Sequence, residues 1–238
     1  MVLRWMCTAL AWLSTAEGSS IMEEQQAADA VAGVKAWAEA SSRNPTAEWR
    51  LHELRQLIRF LDEQGAKLAD AVAQDLGKPE FECQLSELFF VRNEADFAVR
   101  HLKKWMKPRR PRVPLFNQPG RSEILRRAHG AVLILGTWNY PVQMVLAPLV
   151  GALAGGNGAV LKPSELAPAT AAVLAETIPD FLDPVAIRVV PGGVETAKAL
   201  IDAGPDHIFF TGGTAVGRKV MAAAAKNLVP LTVELGGK

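Results

Sequence analysis

From Gly130 onward the chain predicts a doubly wound α/β fold around a parallel sheet of five strands, and three observations carry that expectation. Five short apolar runs occur: Ala131–Leu135, Ala159–Leu161, Ala186–Val190, His207–Phe210 and Leu231–Val233. Alanine-rich stretches of helical length separate them, Val142–Ala154, Ala167–Ile178, Val194–Ala203 and Ala215–Lys226. Polar or glycine-bearing segments follow the runs directly. Uninterrupted apolar strands are those buried on both faces. Their alternation with crossover helices makes the sheet parallel. Such sheets bind ligands beyond the carboxyl ends of their strands, so the residues just after each run are the ones to read for function.

Ahead of that core, residues 22–107 read as helices. Ala27, Ala30, Val31, Val34, Trp37 and Ala38 recur at helical spacing. Arg43-Asn44-Pro45 ends that helix, and Thr46 can cap the next, on which Leu51, Leu54, Leu57, Ile58 and Leu61 mark one face. A third helix ends at Gly77-Lys78-Pro79, where glycine suits a left-handed cap. Glu87 to Trp105 gives a fourth. Residues 108–129 then break the period with Pro108, Pro111, Pro114 and Pro119. Within them Arg109–Phe116 and Arg121–His129 are expected to pair as a two-stranded ribbon across Asn117-Gln118-Pro119-Gly120.

Residues 1–21 form an extension. Its apolar run Trp5–Leu13, followed by Ser14-Thr15-Ala16, has a weak secretory-signal pattern and falls short of the roughly 20 apolar residues that span a bilayer. An upstream start of no consequence for the fold and a cleaved targeting peptide are the two readings. No later segment suggests a stable membrane span.

Composition narrows the classes. With 238 residues, 49% hydrophobic and 21% charged, the chain can bury a sizeable core. A net charge of +1, from 26 basic and 25 acidic side chains, argues against a nucleic-acid or membrane-surface binder. The basic cluster Arg109-Arg110-Pro111-Arg112 reads as a solvated loop. Two cysteines, Cys7 and Cys83, make no disulfide framework and suit a reducing, cytoplasmic setting. The carboxylates around Cys83 disfavour its thiolate. No metal site is expected.

Four segments could carry chemistry. Gly136-Thr137-Trp138-Asn139-Tyr140-Pro141 follows the first strand, with Pro141 suited to a first helical turn. Asn139 then either caps that helix or donates its amide to an oxygen that becomes negative during reaction; Trp138 and Tyr140 could equally be core aromatics. After the second strand, Lys162 and Glu165 either grip the hydroxyls of an adenosine ribose or form an ordinary surface ion pair. Phe210-Thr211-Gly212-Gly213-Thr214-Ala215-Val216-Gly217 follows the fourth. Its glycines let backbone approach a pyrophosphate, and the helix behind it offers free N–H groups. This is not G-x-G-x-x-G, and it follows the fourth strand rather than the first, so the standard dinucleotide fingerprint is absent. Finally Glu234, before Leu235-Gly236-Gly237-Lys238, is either a general base facing a substrate or a plain exposed carboxylate.

Together and in this order, the four segments resemble the aldehyde dehydrogenase superfamily, most closely its class 3 (fatty-aldehyde-type) branch, from about Met22 to Lys238. The resemblance implies a truncated member: residues 22–107 as helices of the cofactor domain, 108–129 as the first strands of an oligomerisation arm, and 130–238 as a Rossmann-like dinucleotide-binding core. It implies NAD as cofactor, with NADP as the alternative, an aldehyde as substrate, and a homodimer in the full-length family. It assigns Asn139 to oxyanion stabilisation and Glu234 to the general base. Thr137, Trp138, Lys162, Glu165, Gly212, Gly213, Thr214, Ala215, Val216 and Gly217 fall among the cofactor-binding residues, with Lys162 and Glu165 on the ribose and Val216 beside the adenine. In the family a cysteine thiolate attacks the aldehyde, hydride passes to the nicotinamide, and the base activates the water that releases the acid. That cysteine lies downstream of the Glu-Leu-Gly-Gly-Lys segment, and neither Cys7 nor Cys83 matches it. The chain as given is therefore expected to lack the catalytic domain and turnover. The alternatives are a non-catalytic NAD(P)-binding fragment, an incomplete gene product, or an interaction protein built on the ribbon.

Overall fold

The computed structural model describes residues 24–236. The extension 1–21, Cys7, Gly237 and Lys238 lie outside the described residues. Helix α1 covers residues 24–40. Helix α2, Ala47–Leu76, starts where the Thr46 hydroxyl accepts from the Trp49 N–H at 3.2 Å, and it ends at Gly77, whose φ of 66° is left-handed. This single helix of 30 residues replaces the second and third helices expected from sequence. Nothing between Leu61 and Leu76 breaks it, since Gly65 remains helical. Next come α3, Glu80–Cys83, a π turn, Gln84–Leu88, and α4, Phe89–Trp105.

The ribbon expected over residues 108–129 is reduced to one antiparallel bridge. Arg109 and Ile124 exchange backbone hydrogen bonds of 3.1 and 2.8 Å, and Leu115–Asn117 winds into a short 3-10 turn. Pro111 and Pro114 have no N–H to extend the ladder. Leu115, Phe116, Ile124 and Leu125 stay exposed, so no buried face rewards further pairing.

Five parallel strands follow: β1 Ala131–Leu135, β2 Gly158–Lys162, β3 Ile187–Val189, β4 His207–Gly213 and β5 Leu231–Gly236. Their order in the sheet is β3-β2-β1-β4-β5. Helices α5 (Gln143–Gly155) and α6 (Pro168–Thr177) connect the first three strands; α7 (Val194–Asp202) and α8 (Thr214–Lys226) connect the rest. Side chains alternate across the sheet. Val132, Ile134, Ala159 and Leu161 face α2, α4, α5 and α6, whereas Leu133, Leu135, Val160 and Ile208 face α1, α7 and α8. Each fully buried aliphatic side chain there contributes about 1.5–3 kcal/mol, which is why these strands read as unbroken apolar runs. The connection from β3 crosses the sheet to β4, so strand order reverses between β1 and β4. That reversal opens a crevice beyond their carboxyl ends.

Candidate functional site

All four sequence-selected tips reach this crevice, which encloses about 950 Å³ and is lined by Asn139, Lys162, Glu165, Gly213, Val216 and Glu234, among others. Thr137, Trp138 and Gly212 also line it. Gly217 does not: it is buried, and a Cβ there would lie 2.7 Å from Leu235 Cδ2, so its bareness serves the packing of α8 on β5. Thr214 and Ala215 are exposed in the first turn of α8, outside the lining.

Asn139 is exposed and does not cap α5. A carboxylate from another element does: Glu87 accepts from the Val142 and Gln143 N–H groups at 2.8 and 3.3 Å. The Asn139 side-chain carbonyl accepts from Thr137 Oγ1 at 2.8 Å, and among the described residues no acceptor takes its amide N–H groups. Trp138 is half exposed, so it is no core aromatic; Tyr140 is partly buried under the Lys78 ammonium, 4.1 Å from its ring centre.

Lys162 and Glu165 pair at 2.7 Å, with side chains 6% and 41% exposed. Lys162 also donates to the Pro163 carbonyl at 3.1 Å. This is a half-buried pair whose free edge faces the crevice, unlike the surface pair that sequence alone allows. Partial desolvation pushes the Glu165 carboxyl up, but the Lys162 hydrogen bond, the residue's own backbone N–H and the Lys162 charge outweigh it, and the net shift is downward. At neutral pH the carboxylate is ionised.

Strands β4 and β5 run further than their apolar cores. The pairs Thr211↔Glu234, Gly212↔Leu235 and Gly213↔Gly236 extend the ladder through the polar tip. Glu234 therefore stands within β5, exposed at the mouth, rather than just past it. Gly213 precedes α8 with φ −72°, nothing within 4 Å of a Cβ built there, and no side chain capping the helix. The first N–H groups of α8 remain available to an anion.

Sequence reasoning missed one wall. Val194, Ala197 and Ile201 of α7 and Lys219, Val220 and Ala223 of α8 also line the crevice. The signal was present as apolar spacing of three and four on both helices, but the same spacing also describes their core faces.

No thiol of the described residues reaches the crevice. Cys83 is fully buried. Desolvation first, then the Glu87 charge, pushes its pKa to about 11. No group of three or more His, Cys, Asp and Glu among the described residues is arranged to hold a metal ion. Among the same residues no helix is long and apolar enough to cross a membrane.

A crevice at the switch point of a parallel sheet, rimmed by a lysine–carboxylate pair and a glycine-led helix N-terminus, defines a nucleotide-binding class of α/β protein. Comparison with known proteins narrows it: the model of the "Aldehyde dehydrogenase family" matches residues 13–238, and the chain belongs to that family. "Aldehyde dehydrogenase family 3 member B1" of Bos taurus is 47% identical over 198 residues, covering 83% of this chain and 42% of the relative. The substrate-bound structure of Staphylococcus aureus AldH superimposes with a TM-score of 0.85 at 36% identity, covering 88% of this chain and 46% of that one. A betaine aldehyde dehydrogenase of the same organism, solved in complex with NAD+, matches with a TM-score of 0.77 at 26% identity, covering 87% of this chain and 42% of that one. The chain thus spans about two fifths of the length of the curated relatives it matches.

Proposed function

We propose that the chain is the cofactor-binding part of a class 3 aldehyde dehydrogenase, holding NAD in the crevice and presenting Asn139 and Glu234 to an aldehyde. The supporting observation is the convergence of the tips after β1, β2, β4 and β5 on one crevice of about 950 Å³. The residues present fit the dinucleotide. The uncapped start of α8 and the open space at Gly213 suit a pyrophosphate. The Lys162 amine and the Glu165 carboxylate suit ribose hydroxyls as donor and acceptor. Val216, exposed in the crevice lining beside apolar side chains of α7 and α8, suits a flat base. An ionised Glu165 would repel a 2′-phosphate, which favours NAD over NADP.

The bound cofactor supplies a two-electron acceptor for the oxidation of an aldehyde to an acid. Beside a nucleophile that the described residues do not supply, this chain's own groups carry two roles. The unpaired Asn139 amide donates to the substrate oxygen as negative charge develops on it. Glu234 takes a proton from the water that releases the acid. Cys83, buried and protonated, does not supply the nucleophile in this reading, and the part assigned to residues 24–236 is cofactor binding. A reducing, cytoplasmic setting and a homodimer formed through residues 108–129 complete the proposal.

Calorimetric titration with NAD tests it. Binding is expected, weakened roughly tenfold or more by Glu165→Gln, which removes a charge-assisted hydrogen bond. Gly213→Ala fits the apo fold and should weaken binding by crowding the pyrophosphate. No binding, or binding indifferent to both substitutions, would overturn the cofactor assignment. Aldehyde-dependent NADH formation that is abolished by labelling Cys83 would overturn its exclusion as the nucleophile.

A further inference from the structure

The loop that carries Asn139 is held from behind by two buried charges. Lys78 follows the left-handed end of α2, and Glu87 sits in the π turn before α4; Glu87 is wholly inaccessible. They pair at 2.6 Å. Each then spends its remaining capacity on the segment between β1 and α5. The Lys78 ammonium donates to the Asn139 carbonyl at 3.2 Å and lies over the Tyr140 ring. The second Glu87 oxygen accepts from the Val142 and Gln143 N–H groups. One ion pair therefore grips the backbone at Asn139 and again three and four residues later.

A buried ion pair is a weak source of net stability, because desolvation cancels much of the attraction and an apolar replacement often does as well. Its value lies in fixing geometry. Oxyanion stabilisation depends on a donor standing within hydrogen-bond reach of an atom whose charge changes, without reorganisation at that moment. A donor on a loop meets that demand only when its support is rigid. The π turn is a second sign, since this rare geometry recurs beside functional sites and here it carries the carboxylate that reaches α5.

We propose that Lys78 and Glu87 are positioning residues for Asn139. They clamp the main chain at Asn139 and again at Val142 and Gln143, while Thr137 orients the Asn139 side-chain carbonyl, leaving the amide N–H groups directed to the crevice. The chemical use of that placement rests on the oxyanion role proposed above for Asn139; the placement itself does not.

Nuclear magnetic resonance on the isotopically labelled 238-residue chain separates the two. In the wild-type chain the Lys78 ammonium protons should exchange slowly enough to be observed and show cross-peaks to the Tyr140 ring. The near-isosteric neutral pair Lys78→Met with Glu87→Gln keeps an acceptor for α5 but loses the donor to Asn139. Sheet-core amide signals should stay in place. The Tyr140 backbone amide and the Asn139 side-chain signals should shift, and amide exchange at residues 140–144 should accelerate at least tenfold. Lys78→Arg, which retains a cation and donors, should bring exchange at these positions back toward the wild-type rate. A folded double variant with wild-type signals and exchange at 139–144 would overturn the proposal, as would an unobservable Lys78 ammonium in the wild-type chain. A parallel NAD titration keeps the readings apart: loss of NAD binding by the wild type sinks the cofactor assignment, whereas an unmoved Asn139 sinks the clamp.

Discussion

Asp75, in the last turn of α2, caps α6 through Thr170, accepting from its N–H and from its hydroxyl at 2.8 Å each. The other carboxylate oxygen takes the Ala169 N–H at 3.0 Å. Helix α6 has no side-chain cap of its own. Glu87 serves α5 in the same way, and the buried Glu53 of α2 accepts from the Asp183 N–H at 3.0 Å, ahead of β3. Three carboxylates from the N-terminal helices thus satisfy backbone donors in the α/β core.

Replacing Asp75 should expose the size of this effect. Asp75→Ala is expected to lower stability by about 1–2 kcal/mol, the cost of losing a helix cap, read from the midpoint of urea unfolding. Asp75→Asn, which keeps an acceptor, should lose less. NAD affinity should be the same in both, since Asp75 lies outside the crevice lining.

Affinity for NAD should also respond to acid through Glu165. Its carboxyl is held below the ordinary 4.5 in the folded chain. The stabilisation from its pairing with Lys162 is therefore complete above the unfolded-state value and lost as pH falls through the lower folded one. Titrations from pH 8 to 5 should show no loss attributable to this group, and in Glu165→Gln any steeper decline below that range should vanish. A decline beginning near pH 6 and abolished by Glu165→Gln would contradict the direction of the shift.

His207 gives the opposite end of the sheet a different sensitivity. Its ring stacks on His129 with centroids 4.7 Å apart, Nε2 meets Thr232 Oγ1 at 3.1 Å, and Nδ1 is buried without a partner among the described residues. Burial first, then the His129 charge, lowers its pKa below 6.5. The unfolded chain takes up this proton more readily, so stability present above pH 6.5 declines as pH falls from there toward the depressed folded value. Urea midpoints measured at pH 7.5 and 5.5 should differ less for His207→Gln than for the wild type.

The thiol of Cys83 should be silent. With its pKa pushed to about 11 and its side chain fully buried, a Cys7→Ser chain at pH 8 should show no rapid reaction with a disulfide reagent. Unfolding in urea should release one thiol. Prompt labelling of the native chain would show that the pocket around Cys83 is not closed.

The sheet was legible because its strands are buried on both faces, and continuous apolar runs mark that burial directly. The apolar run Ala131–Leu135 coincides with β1, and the remaining four fall on strands with small shifts at their ends. Where pairing continued through polar residues, as at Thr211 and Glu234, hydrophobicity no longer marked the strand, and both β4 and β5 looked shorter than they are. The single long α2 runs unbroken through Gly65, where the sequence reading expected two helices.

Candidate site residues were legible as strand tips, and their partners were not. Asn139 next to Pro141 reads equally well as a local cap. The carboxylate that does the capping comes from Glu87, 55 residues earlier than Val142, a relation no local pattern encodes. Lys78 looked like punctuation after Gly77. Its reach to the Asn139 carbonyl, across 61 residues, depends on the packing of α2, the π turn and α5 against one another.

The carboxylates at positions 53, 75 and 87 make the helical layer an electrostatic complement to the sheet behind it. Residues 24–105 and 130–236 are joined along the chain by residues 106–129, and donors of one segment find their acceptors on the other. Interchanging the helical segment between relatives would therefore preserve the fold only where acid and orphan N–H travel together, and an otherwise conservative graft would leave bare helix ends inside the molecule.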